Sequence, residues 1–171
     1  MNPFWIIRKG RLELRPPTFD DLLELSALKA DARVFAVMLG GVRSAVQARD
    51  DLADDIRHWG AHGYGTWVVH LLEGGPMLGL VALRERPDGR GIGLRFAFWP
   101  HVHGRGIAAE AAAAALRYGH TKAGLRRIVA VARATNFPSR ELIGSIGMRL
   151  ADTFEREGWE MLLFESVSGA G

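Results

Sequence analysis

The chain has 171 residues, 48% of them hydrophobic and 24% charged, with a formal net charge of +3. That length and balance fit one folded domain with a sizeable core, without the polar bias of a disordered chain. There is no cysteine, which excludes disulfides, thiolate metal sites and a cysteine acyl-enzyme.

The positive balance comes almost wholly from arginine, since Lys9, Lys29 and Lys122 are the only lysines. It suits an anionic ligand. The arginines alternate with Asp and Glu, however, and only Arg126-Arg127 is a doublet, so no basic stripe predicts direct nucleic-acid binding. The N-terminal apolar run Phe4 to Ile7 is too short for a signal or membrane-spanning segment, and a soluble cytoplasmic protein with no membrane partner is expected.

Arg11-Leu12-Glu13-Leu14-Arg15 alternates as a half-buried strand, and Pro16-Pro17 ends it. Thr18 is placed to cap a helix with Leu22, Leu25 and Leu28 on one face. After a Gly40-Gly41 loop, a second helix begins near Ser44 and carries Val46, Leu52, Ile56 and Trp59, with its Asp and Arg residues on a solvated face. Gly60 to Gly65 is expected to break it. Thr66 to Leu72 and Met77 to Arg84 read as a hairpin, and the turn Pro87 to Gly91 leads into a further strand, Ile92 to Phe98. Trp59, Tyr64 and Trp67 suit either a core or an acceptor pocket.

The stretch Phe96 to Glu110, FAFWPHVHGRGIAAE, runs from strand through glycine turn into helix. Gly104 and Gly106 allow the backbone to turn tightly and approach a ligand, and the first-turn amides of the next helix favour a phosphate. That helix spans about Arg105 to Lys122, with Ile107, Ala111, Ala114, Ala115 and Tyr118 on one face. The turn also reads G-x-G-x-x-A, but the next strand, Arg127 to Arg133, ends in arginine where a dinucleotide site needs an acidic residue. No Gly-Lys-Ser/Thr follows, which excludes a P-loop. Beyond that strand come a short helix, Pro138 to Ser145, closed by Gly147, a final hairpin of Met148 to Glu157 and Trp159 to Ser166 turning at Gly158, and a frayed tail over 168–171. With no cysteine and no acidic partner near His101-x-His103, no metal site is expected.

His103-Gly104-Arg105-Gly106-Ile107-Ala108 resembles the acetyl-CoA pyrophosphate loop of the GNAT acetyltransferases, R/Q-x-x-G-x-G/A, with His103 departing from its first position. Asn136-Phe137-Pro138-Ser139 followed by Ile146-Gly147-Met148 resembles the N-x-P-S … G-[FM] signature of the RimJ/RimL-like branch, and Arg11 to Pro16 is similar to its opening strand. The resemblance covers essentially the whole chain and implies one domain over 1–171. The implied fold is α/β (α+β), a mixed, mostly antiparallel sheet of about seven strands with about four helices, in the order β-α-α-β-β-β-α-β-α-β-β.

The same resemblance implies an acetyl-CoA-dependent N-acetyltransferase acting by direct attack of a primary amine in a ternary complex, as a monomer or homodimer without a metal. Acetyl-CoA would lie along Ala97, Phe98, His103, Gly104, Arg105, Gly106, Ile107, Ala108, Asn136 and Ser139, and the first two helices would flank the acceptor groove. Many family members place a tyrosine acid seven residues after the motif asparagine. Here that position is Ile143, so Ser139 is the nearest donor to the leaving thiolate, unless its hydroxyl only bonds the helix backbone. Asn136 would tie the pantetheine or acetyl group, or serve only as a turn residue. No base stands out: the strand position where some members carry glutamate is Arg95, Glu110 on the glycine-turn helix reads as a helix-surface or sheet-contact residue, and Glu155, Glu157 and Glu160 on the last hairpin are placed to reach the acceptor groove. A water suffices for an α-amine of pKa about 8. The acceptor, whether protein N-terminus, small amine or antibiotic amine, stays open, and a non-enzymatic acyl-CoA-binding module is the alternative.

Overall fold

The computed structural model describes residues 1–169, so Ala170 and Gly171 of the expected tail lie outside the described residues. Ser168, where that tail was expected to begin, is held by its N–H on the Arg126 carbonyl at 2.8 Å.

The described residues form one sheet with strands in the order β1-β2-β3-β4-β5-β6-β8-β7. These are β1 (Ile7–Lys9), β2 (Leu12–Arg15), β3 (Thr66–Leu71), β4 (Gly79–Glu85), β5 (Ile92–Phe98), β6 (Arg127–Arg133), β7 (Arg149–Arg156) and β8 (Trp159–Val167). All neighbours are antiparallel except β5 and β6, which the crossover helix makes parallel. The helices are α1 (Leu22–Ala30), α2 (Ala32–Phe35), α3 (Ala45–His62), α4 (Ile107–Thr121) and α5 (Phe137–Ser145). The mixed, mostly antiparallel fold agrees with expectation, with one strand and one helix more.

Both additions are short and locally encoded. β1 follows a 3₁₀ turn, Pro3–Trp5, and pairs with β2 from Ile7↔Leu14 to Lys9↔Leu12, three residues being too few for a visible alternation. α2 is a single turn begun by Asp31, whose Oδ1 accepts from the Arg33 N–H at 2.9 Å. Thr18 caps a 3₁₀ turn, Phe19–Asp21, that leads into α1.

α3 departs from expectation in three ways. It runs through Gly60 and stops at Gly63, which takes the left-handed φ of 73° and returns its N–H to the Trp59 carbonyl. A mid-helix glycine costs only about 1 kcal/mol, and the helix absorbs it beside the buried Trp59. Val46 is exposed, whereas Ala48, Leu52 and Trp59 are buried. Asp55, expected on a solvated face, is 6% exposed; it accepts from Thr66 Oγ1 at 3.0 Å and pairs with Arg84.

Two apolar clusters sandwich the sheet. On one face Ile107, Ala111 and Ala115 of α4 pack on Leu83, Leu94, Phe98 and Ile128, the alanines allowing close approach. On the other, Leu25, Leu28, Val34, Phe35 and Leu52 of α1, α2 and α3 cover Val68, Leu80 and Ala97. Trp59 and Trp67 meet edge-to-face at 5.0 Å, with Tyr118 5.1 Å from Trp67, and so belong to the core rather than to an acceptor pocket.

Candidate active site

β5 and β6 pair only at Gly93↔Val129 and then diverge. Because the Trp99 N–H donates to the Leu78 carbonyl at 3.1 Å, antiparallel alternation turns the Ala97 amide toward β4 as well. The amides of Phe96 and Phe98 therefore face the opening. Of the two backbone positions expected there, Phe98 presents its polar edge, while Ala97 contributes a wall through its side chain.

The gap widens into a cleft of about 940 Å³. Ala97, Phe98, His103, Gly104, Gly106, Ile107, Ala108, Asn136 and Ser139 line it, so nine of the ten expected ligand residues converge from β5, the glycine turn and α5. Arg105 is the exception: its side chain is exposed and its carbonyl accepts from the Arg11 guanidinium.

Gly104 and Gly106 adopt φ of 81° and 74°, conformations that L side chains rarely take. Gly106 then serves as the N-cap of α4 without any side-chain cap, and the first helical bond is Glu110 N–H to the Gly106 carbonyl at 3.0 Å. The amides of Ile107, Ala108 and Ala109 thus have no acceptor among the described residues. Ser44 caps α3, Asn136 caps α5, and α1, itself without a side-chain cap, continues the 3₁₀ turn that Thr18 caps, whereas α4 starts uncapped at the cleft mouth. Three free amides at the positive end of a helix fit a pyrophosphate.

Arg11 braces this turn from the β1–β2 connection. Its Nε donates to Glu110 Oε2 at 2.9 Å and its backbone N–H to Oε1 at 3.3 Å. Glu110 is therefore held by the sheet and turned away from the chemistry, and the sequence pattern had no signal for the brace beyond a charge at each end.

At the other wall, Asn136 Oδ1 accepts from the Ser139 N–H at 3.3 Å and starts α5. Ser139 lines the cleft, and its hydroxyl has no hydrogen-bond partner among the described residues. Ile143 is 1% exposed in the core, one helical turn further from the opening. Of the last hairpin's residues, Arg156, Trp159 and Met161 reach the cleft, whereas Glu155, Glu157 and Glu160 do not line it. Trp159 stacks under the Arg133 guanidinium, 4.1 Å from the ring centroid.

The lining has Arg33, Arg86, Arg95, Arg133 and Arg156 against one carboxylate, Glu141. Arg33 and Arg86 are paired with Asp31 and Asp88. Val34, Val37, Met38 and Leu39, from α2 and its following loop, line the cleft from the segment between the two helices expected to flank the acceptor groove, although α2 itself is not expected from the sequence. Among the described residues no three His, Cys, Asp or Glu gather as a metal site, and no helix is long and apolar enough to cross a membrane.

Known proteins share this fold. A putative GNAT-family acetyltransferase from Bordetella pertussis superposes with a TM-score of 0.82 at 25% identity, covering 95% of this chain and 99% of that one. The ribosomal alpha-N-protein acetyltransferase RimL in complex with coenzyme A gives 0.79 at 18% identity over 97% and 99%. In sequence, the uncharacterized N-acetyltransferase YnaD of Bacillus subtilis is 39% identical over 59 residues, a stretch spanning 34% of this chain and 35% of that protein. The acetyltransferase (GNAT) domain profile matches residues 11–149, and the chain accordingly belongs to the GNAT family of acetyl-CoA-dependent acyltransferases.

Proposed function

We propose that the chain transfers acetyl from acetyl-CoA directly to a primary amine, with both substrates in the cleft together. The observation that carries this reading is the uncapped start of α4 beside the unpaired edge of β5. The amides of Ile107, Ala108 and Ala109 would hold the pyrophosphate, and the Phe98 edge would pair with the pantetheine and orient the thioester carbonyl. When bound, the thioester supplies an activated acetyl group; the chain's part is to hold it and to stabilise charge on its oxygen with fixed donors. His103 and Gly104 shape the mouth.

Asn136 acts by capping α5, which places the Ser139 hydroxyl free at the cleft wall. That hydroxyl would donate to the departing sulfur, a modest requirement for a thiolate of ordinary thiol basicity. Ile143, buried and apolar, has no proton to give.

Among the described residues the one carboxylate lining the cleft, Glu141, is an exposed residue of α5, on the same wall as Ser139; with no carboxylate on the Arg95 side, the attacking amine is taken to reach the site largely neutral. The arginine-rich lining helps, because nearby positive charge disfavours an ammonium and lowers its pKa. An α-amine near pKa 8 fits this better than an unperturbed lysine near 10.4. We therefore place the acceptor among α-amines, of a protein N-terminus or of a small molecule, in a cytoplasmic setting. The test is free-thiol release from acetyl-CoA with a panel of α- and ε-amines, products identified by mass spectrometry. Turnover should favour α-amines; CoA binding without turnover on any amine would overturn the reading in favour of a binding module.

A further inference from the structure

Three arginines stand on the face of β4 and β5 that α1, α2 and α3 cover, and two of them are matched. Arg84 pairs with Asp54 at 2.8 Å and with Asp55; Arg86 pairs with Asp88 at 2.8 Å. The third, Arg95, lies opposite Ala82 in the β4–β5 register. It forms no ion pair or hydrogen bond among the described residues, although it is partly buried where two cavities meet. Burial pulls its pKa below the ordinary arginine value, with Asp55 opposing and Arg84 and Arg86 adding to the effect. An arginine stays charged even so, and a guanidinium that faces two cavities with no carboxylate paired to it is free to take an anion.

The position says what arrives. Alternation along β5 sends Leu94 and Phe98 to the α4 side and Ala97 to the other, and Arg95 follows Ala97. Arg95 is thus on the opposite side of the strand from the glycine turn, remote from where a pyrophosphate would sit. It borders both the acetyl-CoA cleft and a second cavity of about 430 Å³ enclosed by α1, α3 and β4. The remaining cations of that second cavity, Lys29, Arg43 and Arg84, are all bound to Asp51, Asp54 or Asp55. Arg95 is the unmatched charge at the junction, where an acceptor must lie to reach a thioester held beside Phe98.

We infer that Arg95 is the specificity residue of the acceptor site and takes a carboxylate borne by the amine substrate. This rests on the transfer reading above and narrows it: the acceptor is an amino-acid-like molecule with both a free amine and a carboxylate, for which a guanidinium offers a two-pronged partner. The carboxylate fixes the molecule at one end and leaves the amine to approach the carbonyl. The same chemistry on a dicarboxylic acyl chain is the competing source.

The test compares free amino acids with their C-terminal amides as acceptors, for the native chain, Arg95→Met and Arg95→Lys. In parallel, N-acetyl amino acids and their amides are titrated into the CoA-loaded protein, a readout that needs no turnover. The native chain should prefer the acid tenfold or more in kcat/KM and in Kd. Arg95→Met should bring that ratio to about one and Arg95→Lys should retain part of it, with the melting temperature of Arg95→Met unchanged or raised because an unpaired, partly buried charge is gone. Equal handling of acid and amide by the native chain overturns the inference, as does a preference that survives in Arg95→Met. If Arg95→Met instead lowers use of succinyl-CoA relative to acetyl-CoA while the acceptor ratio stays at one, the carboxylate belongs to the donor and the acceptor assignment fails. Acid-selective titration without turnover on any amine would remove the transfer reading and leave the Arg95 assignment standing.

Discussion

Arg11 and Glu110 are 99 residues apart in sequence and joined at 2.9 Å, and through that pair the edge of the sheet holds the glycine turn in place. The Arg11 guanidinium also bonds the Arg105 carbonyl between the two glycines. Gly10 has a left-handed φ of 58°, which favours glycine, and a Cβ there would lie 2.4 Å from Glu110 Oε1 and push the carboxylate away from Arg11. Arg11 is 46% exposed, so the ion pair itself adds only about 0.5 kcal/mol of stability. Its larger effect is on the turn. Arg11→Ala should raise the acetyl-CoA Kd roughly three- to tenfold, on the order of 1 kcal/mol, with little change in melting temperature. An unchanged Kd by calorimetry would reduce the pair to surface decoration.

Elements with a strong periodic signal were legible from sequence: β5 and β6 have the expected bounds, and the apolar face of α4 is the buried one. Short elements were not, since β1 and α2 have three and four residues and draw their stability from pairing and capping that no periodicity records. The glycine turn was legible because its φ angles need glycine, and the Asn136 to Ser139 corner through its resemblance to a family signature, while the capping of α5 by Asn136 is visible only in the structure. Asp55 was not, because an aspartate paired with an arginine on a distant strand looks, in sequence, like any solvated aspartate. Arg95 was visible as a missing glutamate, but only the cavities show what surrounds it.

Asp55 is a buried carboxylate whose partners, Arg84 and Thr66, come from two neighbouring strands. Asp55→Ala would leave the Thr66 hydroxyl without its acceptor and Arg84 with Asp54 alone. Breaking such a pair from one side costs about 3 kcal/mol, toward the low end of the range because Asp54 remains at 2.8 Å. For a domain of this size that is a fall of about 6–12 °C in melting temperature. A fall of only a degree or two would mean that water replaces the carboxylate readily.

Gly106 carries two requirements at once, a left-handed φ of 74° and a place on the cleft lining before the α4 amides, where a Cβ would already lie 3.6 Å from Arg11 Nη2. Gly106→Val imposes a β-branched side chain on that φ and covers the anion-binding face. The acetyl-CoA Kd should rise tenfold or more, equivalent to at least about 1.4 kcal/mol. Gly124, also at positive φ but outside the cleft lining, is the control: Gly124→Ala should strain its own turn and leave the Kd alone.

Ser139 is where the chain departs furthest from the commoner layout, with Ile143 buried where a tyrosine acid often stands. The Ser139 N–H is already held by Asn136, so the cap does not depend on the Ser139 hydroxyl. Ser139→Ala should therefore leave stability within about 0.5 kcal/mol of the native chain. If the hydroxyl donates to the sulfur as it leaves, the bond strengthens mainly in the transition state, so kcat falls while the KM for acetyl-CoA stays nearly constant. General-acid assistance is typically worth about 10²–10⁴-fold, and a thiolate leaves more readily than most groups, so a loss at or below the low end is expected. Asn136→Ala should behave differently, since removing the cap loosens α5: a stability loss of about 1 kcal/mol should accompany any loss of rate. Melting temperature, kcat and KM measured on both variants separate the two roles. An intact kcat in Ser139→Ala would show that the thiolate departs unaided or through water.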